Sequence, residues 1–298
     1  MADWVPDLSR PTSVHVIGVG GAGMSAIAEV LATMGHSVSG SDLKASSGLD
    51  RLSALGVDVR VGHAADNLGD VAFVTRSTAV PDANPECRKA VERGLPLLSR
   101  AEVLGAVSTL RDTVAVAGTH GKTTTSSMLA LVLREAGLRP SFVIGGDVNE
   151  IGTGAAWDDG DLFVVEADES DSSFLELSSR FGVVTNLEPD HLEHHGGFQP
   201  LVDAFDQFVD AVDGPVMVGS DDPEGAALAA RHGAETVGTA DGADWVISAV
   251  EESWEGVRFS LSDPVGGSLE IVLPVPGLHN ARNAATAAAA ARHVGADP

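Results

Sequence analysis

"VAVAGTHGKTTTSSMLALVL", residues 114–133, is an apolar run that breaks into a glycine turn, a lysine, three threonines and then a helical pattern. A strand that ends in such a turn and restarts as a helix is the setting of a phosphate-binding loop. Backbone N–H groups and the helix N-terminus face the phosphates, a lysine reaches the β/γ oxygens and a hydroxyl ligates Mg²⁺. Gly118, Thr119, His120, Gly121, Lys122, Thr123 and Thr124 make up this stretch, with Lys122 and Thr123 in the last two roles. The common pattern has a glycine where this chain has Val116, so the loop is expected to be tighter.

Charge makes the lysine informative. The 298 residues carry a formal net charge of -25, and lysine occurs only at 44, 89 and 122. So acidic a chain repels nucleic acid, and no basic patch offsets this, so nucleic acid is not an expected partner. The single cysteine, Cys87, has no internal partner, which points to a reducing, cytoplasmic setting. The start "MADWVPDLSRPTS" does not read as a signal peptide, and no apolar run is long enough to insert in a membrane.

A second glycine turn lies near the start, in "HVIGVGGAGMSAIAEVL", residues 15–31. Gly18, Gly20, Gly21 and Gly23 fit G-x-G-x-x-G after a strand and before a helix, and Asp42 closes the next strand. Alone, this pattern predicts NAD. Its physical content is narrower: a diphosphate at a helix N-terminus and an acid for a polar ligand group. A nucleotide-linked sugar meets both, and fits better in a chain that already has an ATP loop.

Valine-rich strand patterns at 14–18, 37–40, 57–61 and 71–75 alternate with helical ones at 22–34, 48–55 and 84–93. Strand and helix alternate again from 113, with strands at 142–145, 162–166, 181–185 and 215–218 and a helix over 198–212. The stretch from Asp244 to Val275 then alternates apolar and polar residues, as antiparallel strands do. The fold class is therefore α/β. A Rossmann-like parallel-sheet domain, 1–107, precedes a P-loop-type ATPase domain, 108–298, whose mostly parallel sheet ends in a small antiparallel edge.

Metal ligands for phosphoryl chemistry are expected where neighbouring strands end. "LFVVEADESDSSF" offers Glu166, Asp168, Glu169 and Asp171, and "FGVVTNLEPDHLEHHGGF" offers Glu188, Asp190, His191, Glu193, His194 and His195. Solvated loop charge is the ordinary alternative for any one of them. Zinc is a poor candidate at so oxygen-rich a site.

"HVIGVGGAGMSAIA", "GTHGKTTT", "EADESDSSFL", "NLEPDHLEHHG" and "GLHNARNAATAAAA" together resemble the Mur ligases, in order and close to their spacings. The resemblance implies a peptidoglycan-precursor ligase that uses ATP and Mg²⁺ to join L-alanine to UDP-N-acetylmuramate through an acyl phosphate. By the same resemblance Lys122 and Thr123 hold ATP phosphates and the first Mg²⁺. Glu166 and His191 bind metal, and Asn280 and Asn283 read adenine. The turn at 18–23, with Ser77, Thr78 and Arg100, binds the UDP-sugar, and His120 faces substrate. Family members also have a third, C-terminal domain with no counterpart here, so the 298 residues are expected to ligate slowly or not at all. Two alternatives stay open: a relative that attaches a preformed peptide to the same UDP-sugar, and an NAD-binding protein. Oligomeric state is not readable.

Overall fold

The computed structural model describes residues 4–148, 150–168, 173–190 and 196–297. The chain divides into two compact units, Met1–Arg111 with Ser141–Asp158, and Asp112–Pro140 with Asp159–Pro298.

The first unit has strands β1 (Ser13–Ile17), β2 (Ser37–Asp42), β3 (Asp58–Val61), β4 (Phe73–Arg76) and β5 (Leu97–Ser99) in one parallel sheet of order β3-β2-β1-β4-β5. Helices α1 (Ala22–Thr33), α2 (Ser47–Ala54), α3 (Pro85–Glu92) and α4 (Arg100–Ser108) alternate with them. The α/β expectation holds, and the strands fall close to their predicted positions. β5 and α4 are the additions. α4 opens with a Ser99–Glu102 capping box, a local signal in "SRAE". β1 is central, with β2 and β4 on either side, so the sheet changes winding direction at the end of β1.

The same unit holds the antiparallel pair β7 (Ser141–Val148) and β8 (Thr153–Ala156), which pack on α1. β8 has no sequence expectation, because "TGAA" carries neither β-branched alternation nor aromatics.

In the second unit β6 (Asp112–Ala117) lies between β9 (Leu162–Glu166) and β10 (Phe181–Val184), all parallel. From β10 the sheet continues in parallel through β11 (Val216–Gly219), β12 (Glu235–Gly238) and β13 (Trp245–Ser253). It turns antiparallel at β14 (Gly256–Ser262) and β15 (Ser268–Leu273), the edge predicted from alternation. Helices α5 (Lys122–Glu135), α6 (Phe198–Ala211), α7 (Pro223–His232) and α8 (Leu278–His293) complete it. α6 buries Leu201, Val202, Phe205, Phe208 and Val209, and Phe205 and Phe208 meet Phe174 at ring-centroid distances of 5.7 and 5.3 Å. α8 buries an alanine face that lets it lie close against α5.

Candidate functional site

β6 ends at Ala117, and the chain turns through Gly118 (φ +134°) and Gly121 (φ +79°) into α5. Val116, where the common motif has glycine, is a fully buried strand residue paired with Glu166 and Val183. The loop is short because β6 runs further. α5 starts with no side-chain cap and no acid in its first turn, which leaves its positive end to an anion.

Register brings the partners in. Glu166 sits opposite Val116, so the carboxylate emerges beside the loop, and Thr123 Oγ1 donates to Glu166 Oε1 at 3.0 Å. Two candidate Mg²⁺ ligands from distant sequence therefore meet. Val184 sits opposite Ala117, which puts Thr185 and Asn186 against the loop. Thr185 Oγ1 donates to His120 O at 2.6 Å, Asn186 Nδ2 to the same oxygen at 2.9 Å, and the His120 N–H to Asn186 Oδ1 at 2.9 Å. Thr119 Oγ1 and the backbone of Glu188 bond reciprocally at 3.1 and 3.0 Å. These bonds pin the loop without the first glycine. Lys122 Nζ donates to Gly118 O at 2.7 Å, folded back over the loop. His120 Nε2 lies 3.8 Å from Glu188 and 3.7 Å from Asp190.

A cavity of about 500 Å³ opens beside the loop, lined by Thr124, Asn280 and Asn283 among others. Asn283 is buried, and a Cβ on Gly121 would meet its Oδ1 at 2.5 Å, so that glycine lets the start of α8 approach. Asn280 Nδ2 donates to Pro276 O at 2.7 Å. Sequence reasoning missed the opposite wall. Asp221 holds Arg282 Nε at 2.5 Å and the Thr239 N–H and hydroxyl at 2.8 Å each. Asp222 caps α7, and burial pushes its carboxyl above the usual range. The Asp-Asp-Pro run at a strand end, an N-cap followed by proline at the first helical position, was the available signal.

In the first unit the turn after β1 leads into α1, again with no side-chain cap and no acid in the first turn. Gly18 has φ +80°, with Ser77 Cβ 3.2 Å from where a Cβ would stand. The Gly20 N–H donates to Asp42 Oδ2 at 2.9 Å, so one oxygen of Asp42 shapes the turn itself. A Cβ on Gly23 would meet Arg100 Nε at 2.8 Å, and that nitrogen is buried with no hydrogen-bond partner. The structure thus gathers Gly18, Gly20, Gly21, Gly23, Asp42, Ser77 and Arg100 around one helix N-terminus. Thr78 is exposed in the turn after β4.

His191, Glu169, Asp171, Glu193, His194 and His195 lie outside the described residues. Among the described residues no group of three or more His, Cys, Asp or Glu side chains is arranged to hold a metal ion, and no helix is long and apolar enough to cross a membrane.

Residues 13–111 match the Mur ligase family catalytic domain, and residues 116–291 match the Mur ligase middle domain. UDP-N-acetylmuramate–L-alanine ligase of Thermobifida fusca is 47% identical over 96% of this chain and 61% of its own length. The enzyme of that name from Renibacterium salmoninarum is 45% identical over 98% and 63%. The chain thus spans about three fifths of the length of these relatives. Among solved structures, the UDP-N-acetylmuramate–alanine ligase of Thermotoga maritima matches with a TM-score of 0.83 and 30% identity, over 96% of this chain and 66% of that one. The UDP-N-acetylmuramate:L-alanyl-gamma-D-glutamyl-meso-diaminopimelate ligase of Neisseria meningitides matches with a TM-score of 0.85 and 30% identity, over 97% and 95%.

Proposed function

The chain belongs to the Mur ligase family, and we propose that it carries the UDP-sugar and ATP sites of a cytoplasmic ligase that joins L-alanine to UDP-N-acetylmuramate in peptidoglycan precursor synthesis. UDP-sugar binding is assigned to residues 1–107 and ATP binding to 108–298. The observation that carries the reading is Arg100 Nε, buried without a partner over an uncapped helix N-terminus, in a chain that already has a phosphate loop. An unsatisfied buried guanidinium N–H is costly, and the diphosphate of a nucleotide sugar would satisfy it. The L-alanine ligases of 47% and 45% identity supply the choice of sugar and amine.

A carboxylate is a poor electrophile. Phosphorylation by ATP gives it a leaving group, and the amine then displaces phosphate. Lys122 and the N–H groups at the start of α5 would take up charge that develops on the transferring phosphoryl group. Thr123 and Glu166 fit a Mg²⁺ ion by their hard oxygen donors and their 3.0 Å contact. Bound there, Mg²⁺ would neutralise charge on the β- and γ-phosphates. His191 is kept as a second metal ligand on the family resemblance. Asn280, Asn283 and the cavity beside the loop would receive the adenosine.

Calorimetric titration with UDP-N-acetylmuramate, UDP-N-acetylglucosamine and NADH, with Mg²⁺ present, tests the reading. Saturable binding of the muramate compound and no response to NADH is expected. Binding of NADH alone would overturn it. A second reading is ligation of a preformed peptide, the activity for which the Neisseria enzyme is named; its structure matches at the same 30% identity as the Thermotoga alanine ligase. Competition between L-alanine and a tripeptide in a ligation assay separates the two.

A further inference from the structure

Glu86, in the first turn of α3, is fully buried, and no role assigned above uses it. Its Oε2 accepts from Ser41 Oγ at 2.5 Å. Its Oε1 accepts from Asn67 Nδ2 at 2.6 Å and from the Ala64 N–H at 3.1 Å. His63 Nδ1 lies 3.3 Å and His15 Nε2 3.5 Å from Oε2. Donors from β2 and from the segment after β3 thus converge on one carboxylate, with His15 of β1 beside it. An apolar side chain could fill the same space, but it would not fix the orientation of those groups.

What these donors carry gives the arrangement its meaning. Ser41 O accepts the Gly18 N–H at 2.8 Å and the Val19 N–H at 3.1 Å. The next residue, Asp42, accepts the Gly20 N–H on Oδ2 at 2.9 Å and the Gly62 N–H on its carbonyl at 2.7 Å. Residues 41 and 42 therefore shape the glycine turn from one side, and Glu86 grips Ser41 and the 63–67 segment from the other. The carboxylate is one residue, Ser41, removed from the Gly18 and Val19 N–H groups of the turn.

We propose that Glu86 is a positioning residue of the UDP-sugar site, which holds Ser41 and the 63–67 segment so that the glycine turn presents the N-terminus of α1 to the diphosphate. The proposal rests on the reading of that turn as the UDP-sugar site. Glu86→Gln keeps the shape but replaces one acceptor oxygen with a donor, so an NH₂ group must face Ser41 or the Asn67–Ala64 pair. The turn relaxes, and the substrate must rebuild it on binding.

The test is calorimetric titration of wild type and Glu86→Gln with UDP-N-acetylmuramate and, as the internal control, a nonhydrolysable ATP analogue with Mg²⁺. Expected is a rise of about tenfold to a hundredfold in Kd for the UDP-sugar, the size of one or two buried charged hydrogen bonds. Analogue affinity should stay within about twofold, with stoichiometry unchanged. An unchanged UDP-sugar Kd overturns the proposal. So does a fall in stoichiometry for both ligands, which would make Glu86 a support of the fold alone. Wild type that fails to bind the UDP-sugar sinks the substrate reading and the proposal with it. Should Glu86→Gln not fold, Ser41→Ala decides: it removes one donor and should raise the same Kd by about threefold to tenfold.

Discussion

Gly118→Ala should be among the most damaging single-methyl changes available in the second unit. At φ +134° an alanine is strained before any contact is counted, and its Cβ would stand 1.9 Å from Thr185 Oγ1 and 2.9 Å from Thr185 N. The threonine cannot simply rotate away, because its hydroxyl donates to His120 O at 2.6 Å and to Ala117 O at 3.3 Å. Three costs follow: about 1–2 kcal/mol for the left-handed backbone, about 1–3 for the overpacked contact and about 1 for the broken tether. Relaxation shares part of this among them, so the expected loss is about 3–5 kcal/mol. Gly137→Ala is the control. It has a positive φ of +79°, but a Cβ there meets nothing within 4 Å. Only the backbone cost applies, about 1–2 kcal/mol. Urea unfolding followed by fluorescence reads both, with Trp245 the buried tryptophan of this unit. Equal losses for the two variants, or a loss under about 1 kcal/mol for Gly118→Ala, would refute the idea that the clash with Thr185 dictates this glycine.

Other perturbations probe the remaining groups. Thr123→Val and Glu166→Gln should each remove most of the Mg²⁺-dependent gain in affinity for a fluorescent ATP analogue, about tenfold, and leave metal-free binding nearly unchanged. Arg100→Ala should raise the Kd for UDP-N-acetylmuramate by about tenfold to a hundredfold in calorimetry with little change in melting temperature, since Nε gives up no bond in the free protein. Glu86 contributes to the acid limb of stability. Burial pushes its carboxyl up, but donors at His15, Ser41, Asn67 and the Ala64 N–H outweigh burial and lower it from 4.5 to about 2. The folded value is depressed, so the stabilisation is full above pH 4.5 and is lost as pH falls toward 2. It amounts to about 3 kcal/mol at most. Urea midpoints measured across that window should fall more steeply in wild type than in Glu86→Gln, and parallel curves would count against the assignment.

Much of the candidate site was legible because its signals are local. A turn that needs Gly118 and Gly121 at positive φ, a lysine and hydroxyls at the first helical turn, and an apolar strand before them all lie within a few residues. The turn at 18–23 and the alternating strands and helices were legible for the same reason. What pairs with these turns was less so. Glu166 could be nominated among several acids, but only the register that sets it opposite Val116 brings it to Thr123. Arg100 entered by resemblance, and the packing of α4 lays it over Gly23.

By itself, then, the sequence determined the α/β class, the two glycine turns between a strand and a helix and the antiparallel edge, since backbone dihedrals and side-chain periodicity are set by neighbours along the chain. Tertiary structure alone decided that the 141–158 hairpin packs with the first unit on α1, that Asp221 ties Arg282 to Thr239 in the cavity wall, and that Glu86 closes over His15, Ser41 and His63. Those partners are tens of residues apart. Their meeting depends on sheet order and register, which are fixed only when the whole core packs and no window of sequence contains both ends of the contact.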